Sequence, residues 1–321
     1  MRSERECRRG FRRVRGGLLD RAGRPSCKRA LRRIPLRGAH GSHSPILDAD
    51  PFLLAFHRAH PGCTSQAFGR GRVDGGGSSY DLLADCVSGE LNTSTPLLDL
   101  GCGDGHLLEL LVGRGIAPER LVGLDMSAEE LDLAGGRPAL RGSRLLQGRA
   151  AALPLPDGSV GAVLSHLAFM LMSDAEQVVR EVRRVLASGA VFATVVGGGP
   201  KLGDSFEVFL DLLGPVLKGF ATPMPQLGDP RCRSDRGLGE LLGRAAGFDG
   251  PPRLSNHTVH LDGTLEQVWS SLSTFYNLYG LPAQTLRELR AAFEGPARAL
   301  APGSATIPCS MFVRLAVATR G

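Results

Sequence analysis

Leu97-Leu98-Asp99-Leu100-Gly101-Cys102-Gly103-Asp104-Gly105 is the stretch on which the reading of this 321-residue chain turns. Residues 97–100, three leucines and one acid, predict a short strand. Gly101 to Gly105 predict a tight turn, and residues 106–114 a helix. Glycine takes positive φ without strain and lets the backbone come close to a ligand. About twenty residues on, Leu121-Val122-Gly123-Leu124-Asp125-Met126-Ser127 predicts a second strand ending in an acid. A carboxylate at that strand end can accept from both hydroxyls of a ribose.

The same alternation continues outward. Ser127 and Glu130 make a capping-box signature for the next helix. Strands are expected at 143–147, 160–165 and 190–196. A helix over 174–186 follows Ser173 and Glu176, with Val178, Val179, Val182 and Val185 on one side. Strand-helix repetition of this kind argues for a mainly parallel sheet covered on both faces. After Gly197 the alternation loosens, and GGGP reads as a loop. Helical pieces are expected at 204–217, 236–246, 264–279 and 284–293, with late strands near 253–261 and 311–318. Ahead of the glycine loop, helices are expected around 50–60, capped by Asp48 or Asp50, and from Ser79. The run GRGRVDGGGSS between them reads as a flexible linker.

Together these segments, over roughly residues 95–197, resemble the class I S-adenosylmethionine-dependent methyltransferases. The resemblance implies an α/β fold: a Rossmann-like, seven-stranded, mainly parallel sheet flanked by helices. An N-terminal helical cap and a late helical lid insertion complete the expectation. It implies S-adenosylmethionine as cofactor, with Asp99 at the methionine amino group and Gly101, Gly103 and Gly105 wrapped around the molecule. Asp125 falls at the ribose position and Met126 beside the adenine, with Ala150 and Ser165 as further cofactor contacts. Arg149 stands where the family usually has Asp or Asn to meet the adenine amino group, and arginine cannot accept a hydrogen bond. Gly161 and Ala190 are further departures from the family pattern. The loop is GxGxG rather than GxGxxG, which disfavours a dinucleotide oxidoreductase.

Methyl transfer to an alcohol, acid or carbon acid needs a base. His166 closes the fourth expected strand, in Ser165-His166-Leu167-Ala168-Phe169, where open α/β sheets place their sites. His257 and His260 lie on a late strand, an odd number of residues apart, and so on opposite faces. The resemblance offers a metal-dependent variant, as in antibiotic-pathway enzymes that methylate the β-carbon of α-keto acids. There His166 with His257, or His260, would hold Zn or Fe, with Glu240 as a third ligand, and a chelated keto acid would be acidified at that carbon. The alternatives are an O- or N-methyltransferase without metal using His166 as base, and a non-catalytic binding module. Trp269, Tyr276 and Tyr279 fall in one expected helix and are read as walls of an acceptor pocket, with Arg287 and Arg290 beyond them. His57, His60 and Cys63 recur at threes, but Pro61 and Gly62 interrupt their helix. What remains is the expectation that one of these polar groups faces a pocket.

The net charge of +6 invites a nucleic-acid reading, and its distribution removes it. Residues 1–40 hold 14 basic and 3 acidic side chains; the remaining 281 hold 24 and 29. The basicity belongs to a tail too poor in apolar residues to fold alone. The body is acidic, and the Asn/Asp-Pro-Pro-aromatic signature of many base-amino methyltransferases is absent after the fourth strand. The division expected is a basic tail over 1–40, a helical cap over 41–94 and a methyltransferase domain over 95–321, with lid elements at 201–247 and 262–300. A small-molecule substrate is expected, with no nucleic acid or membrane partner; a homodimer is compatible with everything above. Seven widely spaced cysteines without a CxxC pair suit a reducing cytoplasm.

Overall fold

The computed structural model describes residues 49–90, 94–219 and 225–321. The basic tail, the expected cap at Asp48 and residues 220–224 of the expected lid lie outside them. One sheet organises the rest. Five parallel strands lie side by side in the order β4 (Arg144–Gln147), β3 (Leu121–Asp125), β2 (Leu97–Leu100), β5 (Val160–His166), β6 (Leu186–Pro200). The antiparallel β8 (Ser310–Thr319) then pairs with both β6 and β7 (Arg253–His260).

To the seven strands expected, the structure adds an eighth. Arg72–Val73, inside the run read as a linker, pairs with β7 as the two-residue edge strand β1. Three consecutive glycines, Gly75 to Gly77, turn the chain back after it at positive φ. β6 is also longer than its apolar core: it runs on through the GGGP read as a loop, because β8 supplies a ladder as far as Pro200↔Met311.

Residues of β2 and β5 are buried on both faces. Leu97, Leu121, Ala162, Leu164, Ala193 and Val195 face one layer, which holds α3 (Ser79–Asp85), α4 (His106–Gly113), α7 (Ser205–Lys218), α9 (Leu265–Leu272) and α10 (Ala283–Ala299). Leu98, Leu100, Val122, Val163 and Phe192 face the other, with α6 (Ala175–Val185) and α8 (Asp235–Leu242). Alternation along each strand produces this division. A third, smaller cluster joins α1 (Ala49–Ala59) to Leu227, Leu171, Tyr276 and Tyr279 above the strand ends. α2 (Cys63–Phe68) follows α1, and α5 (Ala128–Gly135) follows β3.

The expected helix over 264–279 ends at Leu272. A separate single turn, Tyr276–Leu278, follows, so Trp269, Tyr276 and Tyr279 do not share one helix. The capping box expected from Ser173 and Glu176 is displaced by one residue: Asp174 caps α6 at the amide of Gln177. Among the described residues no helix is long and apolar enough to cross a membrane.

Candidate active site

The turn after β2 needs its glycines. Gly101, Gly103 and Gly105 have φ of 74°, 53° and 79°. A Cβ on Gly101 would stand 2.4 Å from that of Ala168, on the segment leaving β5. The turn is tied to β3 by Gly101 N–H donating to Leu124 O at 2.8 Å. Asp125 is clamped by its neighbours: Oδ2 accepts from Gly103 N–H and Oδ1 from Ser127 N–H, each at 2.9 Å. Its carboxylate is therefore preoriented at the strand end.

Asp99 is buried one turn away. Burial raises its carboxyl well above the usual carboxylate range, and the like charges of Asp125 and Asp104 push it further. Asp104 differs: Arg137 pairs with it and Ser65 Oγ donates to it at 2.7 Å. A cationic group entering beside Asp99 would relieve an unfavourable cluster of negative charge.

Two cavities meet over this turn. One is an apolar slot between Leu53, Leu124, Met126, Ala150, Leu171 and Met172, with Asp125, Asp50 and Asp174 as its acids. The other is polar, with Asp99, Asp104, His106, Glu130, His166 and Tyr276 in its walls. His57, Gly101, Asp125, Ala168 and Leu171 belong to both. An apolar slot with a clamped carboxylate at one end and an acidic chamber beyond it suits a nucleoside joined to an amino acid.

Residues 98–194 match the methyltransferase domain family. These residues form a methyltransferase domain of the class I fold. The chain is 33% identical over 132 residues to the demethylmenaquinone methyltransferase of Thermus thermophilus, a match covering 38% of this chain and 60% of that protein. It is 37% identical over 109 residues to the malonyl-[acyl-carrier protein] O-methyltransferase of Methylococcus capsulatus, covering 34% of this chain and 39% of that protein. The matches thus leave a large part of each relative's length unspanned. A solved structure from Anaeromyxobacter dehalogenans, provisionally named a type II methyltransferase, superposes with a TM-score of 0.51 at 22% identity, covering 78% of this chain and 97% of that one. That likeness is one of fold.

Within the methyltransferase domain, the structure gathers Asp99, Gly101, Gly103, Asp125, Met126 and Ala150 on the two cavities. Gly105 stands behind them as the left-handed residue before α4. These residues fit S-adenosylmethionine, whose ammonium, ribose diol and adenine ask for buried acid, clamped carboxylate and apolar slot. Ser165 does not join them. Its hydroxyl is fully buried, donating to Leu100 O at 2.8 Å and accepting from Phe169 N–H at 3.2 Å. It locks the end of β5 to the turn after β2, its one proton spent on backbone.

His166 lines the polar cavity from the end of β5. Its ring stacks on Tyr80 at 3.6 Å between centroids, and Nε2 shares a 2.8 Å hydrogen bond with Ser79 Oγ. Burial pushes its pKa down to about 3, so it is a neutral hydrogen-bonding group near neutral pH. Nδ1 is buried without a protein partner. The next residue, Leu167, has φ of 53°, the one positive-φ residue other than glycine among those described. Strain of this kind is concentrated at functional sites.

The metal arrangement is corrected by the sheet order. β6 and β8 separate β5, with His166, from β7, with His257 and His260. Three interstrand steps of ~4.8 Å put the backbones ~14 Å apart, with side chains standing perpendicular to the sheet rather than along it. His257 instead bonds to Ser255 Oγ and His260 to Asp74 Oδ1, each at 2.8 Å. Glu240 pairs with Arg236 on α8. Among the described residues no three His, Cys, Asp or Glu side chains converge as a metal site.

The aromatic residues divide between cavities. Tyr276 reaches the polar chamber, whereas Trp269 and Tyr279 line a separate outer cleft with His60, Cys63, Arg287 and Arg290. α2 and the loop before it form the partition. Of the polar groups at threes, His57 alone faces the cofactor cavities. Asp50, on α1, pairs with Arg149 at the slot wall, so an acceptor stands beside the arginine that replaces the family's usual acid. Glu130 was visible only as a capping residue. Ser127 Oγ does accept from Glu130 N–H, but the Glu130 carboxylate turns away to α1.

Proposed function

We propose that this chain transfers the methyl group of S-adenosylmethionine to a small-molecule acceptor without a resident metal. The observation that carries the reading is the continuity of the apolar slot and the acidic chamber through the clamped Asp125. When bound, S-adenosylmethionine supplies an electrophilic methyl group on a sulfonium. The chain's own part is to bind and position. Asp125 accepts from the ribose hydroxyls, and its existing bonds to two amides remove the cost of orienting it. Asp99 takes the ammonium. Met126 and Ala150 flank the adenine, and Asp50 meets its amino group in place of the usual acid. α1 and Tyr276 cover the strand ends and exclude water, which strengthens every polar contact inside. The two curated relatives differ in the acceptor their names give, so the acceptor class rests on the site.

The test is titration of the full chain with S-adenosylhomocysteine by calorimetry, then a labelled-methyl screen over phenols, carboxylates, amines and α-keto acids, with and without EDTA. Binding and chelator-resistant transfer are expected. No heat of binding at millimolar ligand would end the proposal, and transfer abolished by EDTA would restore the metal-dependent variant.

A further inference from the structure

A chain of three side chains crosses the junction of the two cavities, and it comes from three remote segments. Glu130 of α5 is buried, and both its oxygens accept from Gly62 N–H, at 3.1 and 3.0 Å. Oε1 also meets His57 Nδ1 at 2.8 Å, and on the far side of that ring Nε2 meets Tyr276 Oη at 3.1 Å. An ionised carboxylate only accepts, so the proton between Glu130 and His57 sits on Nδ1. In the neutral ring that leaves the Nε2 lone pair pointing at the Tyr276 hydroxyl. Burial, with negative neighbours, raises the Tyr276 phenol, so it is a neutral O–H facing that lone pair. Carboxylate, imidazole and hydroxyl in this order form the arrangement that makes an imidazole a general base.

From this geometry we infer that His57 is the general base of the reaction, held in its Nδ1–H form by Glu130 as a positioning residue, and that its acceptors carry an O–H of phenol or enol type. The inference rests on the proposed methyl transfer. His57 belongs to both cavities, and so stands where a molecule filling both has its connecting sulfur. Tyr276 Oη, in the wall of the polar cavity, stands between Nε2 and the acceptor: its own O–H faces Nε2, and its oxygen is free to accept from the acceptor's O–H. As the acceptor oxygen forms its bond to the methyl carbon, the carbon–sulfur bond breaks and its electron pair stays on sulfur. The acceptor proton passes to Tyr276 Oη as the Tyr276 proton passes to Nε2, Glu130 offsets the charge of the resulting imidazolium, and solvent later takes the proton. Among the described residues no hydrogen bond joins His166, whose Nε2 is on Ser79 Oγ, to this relay.

The experiment uses the full chain labelled with 15N-histidine, with His57→Gln for assignment, in the presence and absence of S-adenosylhomocysteine. Long-range 1H–15N spectra report the tautomer of each imidazole. His57 is expected as Nδ1–H in the wild type, and Glu130→Gln is expected to shift it toward Nε2–H. An Nε2–H ring in the wild type, or a tautomer indifferent to Glu130→Gln, would overturn the inference even if the cofactor analogue binds. In turnover, His57→Gln is expected to cost at least ~100-fold with phenol as the probe acceptor, and several times less with 4-nitrophenol, which ionises unaided. An equal loss for both, or a parallel loss of S-adenosylhomocysteine binding, would assign His57 a structural role. Wild-type protein that binds no S-adenosylhomocysteine would instead end the methyl-transfer reading, while the tautomer, read without ligand, still reports on the relay.

Discussion

At Asp99 the demands of folding and of the proposed cofactor binding oppose each other. Its carboxyl is raised in the folded protein, so folding favours the protonated form. Its contribution is therefore most favourable below the unfolded carboxylate pKa and becomes a penalty as pH rises through the folded value. Asp99→Asn is expected to raise Tm at pH 7.5 while weakening S-adenosylhomocysteine at least about tenfold, the scale of one lost hydrogen bond to a charged group. Calorimetry and a melting scan on the same sample check both. Asp125→Ala should weaken the same ligand by a similar factor without the gain in Tm, since its carboxylate is satisfied by two amides. His166 has the opposite sign. Its folded pKa is depressed to about 3, so the stability it allows is complete above the unfolded histidine value near 6.5 and is lost as pH falls toward 3. Wild type should lose about 1.4 kcal/mol per pH unit over that window relative to His166→Asn, read from urea denaturation at pH 7.5 and 4.5.

α1 is the element that closes the site, and little of its hold is local. Arg58 pairs with Glu129, His57 with Glu130 and Asp50 with Arg149, while Phe56 packs against Tyr276 at 4.4 Å and Tyr279 at 5.5 Å between centroids. The Arg58–Glu129 pair is exposed and contributes little. Phe52, Leu53 and Phe56, all buried, make up the apolar side of the docking, and Phe56 is 2% exposed. Phe56→Ala should cost the docked state on the order of 3 kcal/mol. Hydrogen exchange should then show lost protection over residues 49–59, unchanged protection in β2 and β5, and weaker cofactor binding. Equal loss of protection throughout would mean that α1 belongs to the global folding unit. The break after Leu272 matters in the same way. It frees Tyr276 from a helix face and lets it meet His57, a contact that a continuous helix over 264–279 would not direct.

At the scale of the whole molecule, the sheet order decides which histidines can cooperate. β6 and β8 stand between His166 and the pair on β7, so the full chain treated with EDTA should keep its Tm and its affinity for S-adenosylhomocysteine. A drop in either, reversed by Zn or Fe, would show a metal site built by residues beyond those described. The strand-turn-helix at Asp99, the acid that ends the next strand at Asp125 and the two-layer sheet were legible because each is set by neighbours in the chain: the period-2 burial of a strand, the positive φ of a glycine, the short crossover to the next strand. Other features were decided elsewhere. Glu130 reads as half of a capping box and is instead turned to His57, 73 residues away; Tyr276 reads as part of an aromatic helix and meets the same ring across 219 residues. Ser165 and His166 sit at the expected strand end, yet one hydroxyl is consumed by backbone and one imidazole is neutralised by burial. Local pattern determines which elements form and where a cofactor turn lies. Which polar groups meet over that turn depends on how remote elements pack, because hydrogen-bond partners and burial are properties of the assembled interior.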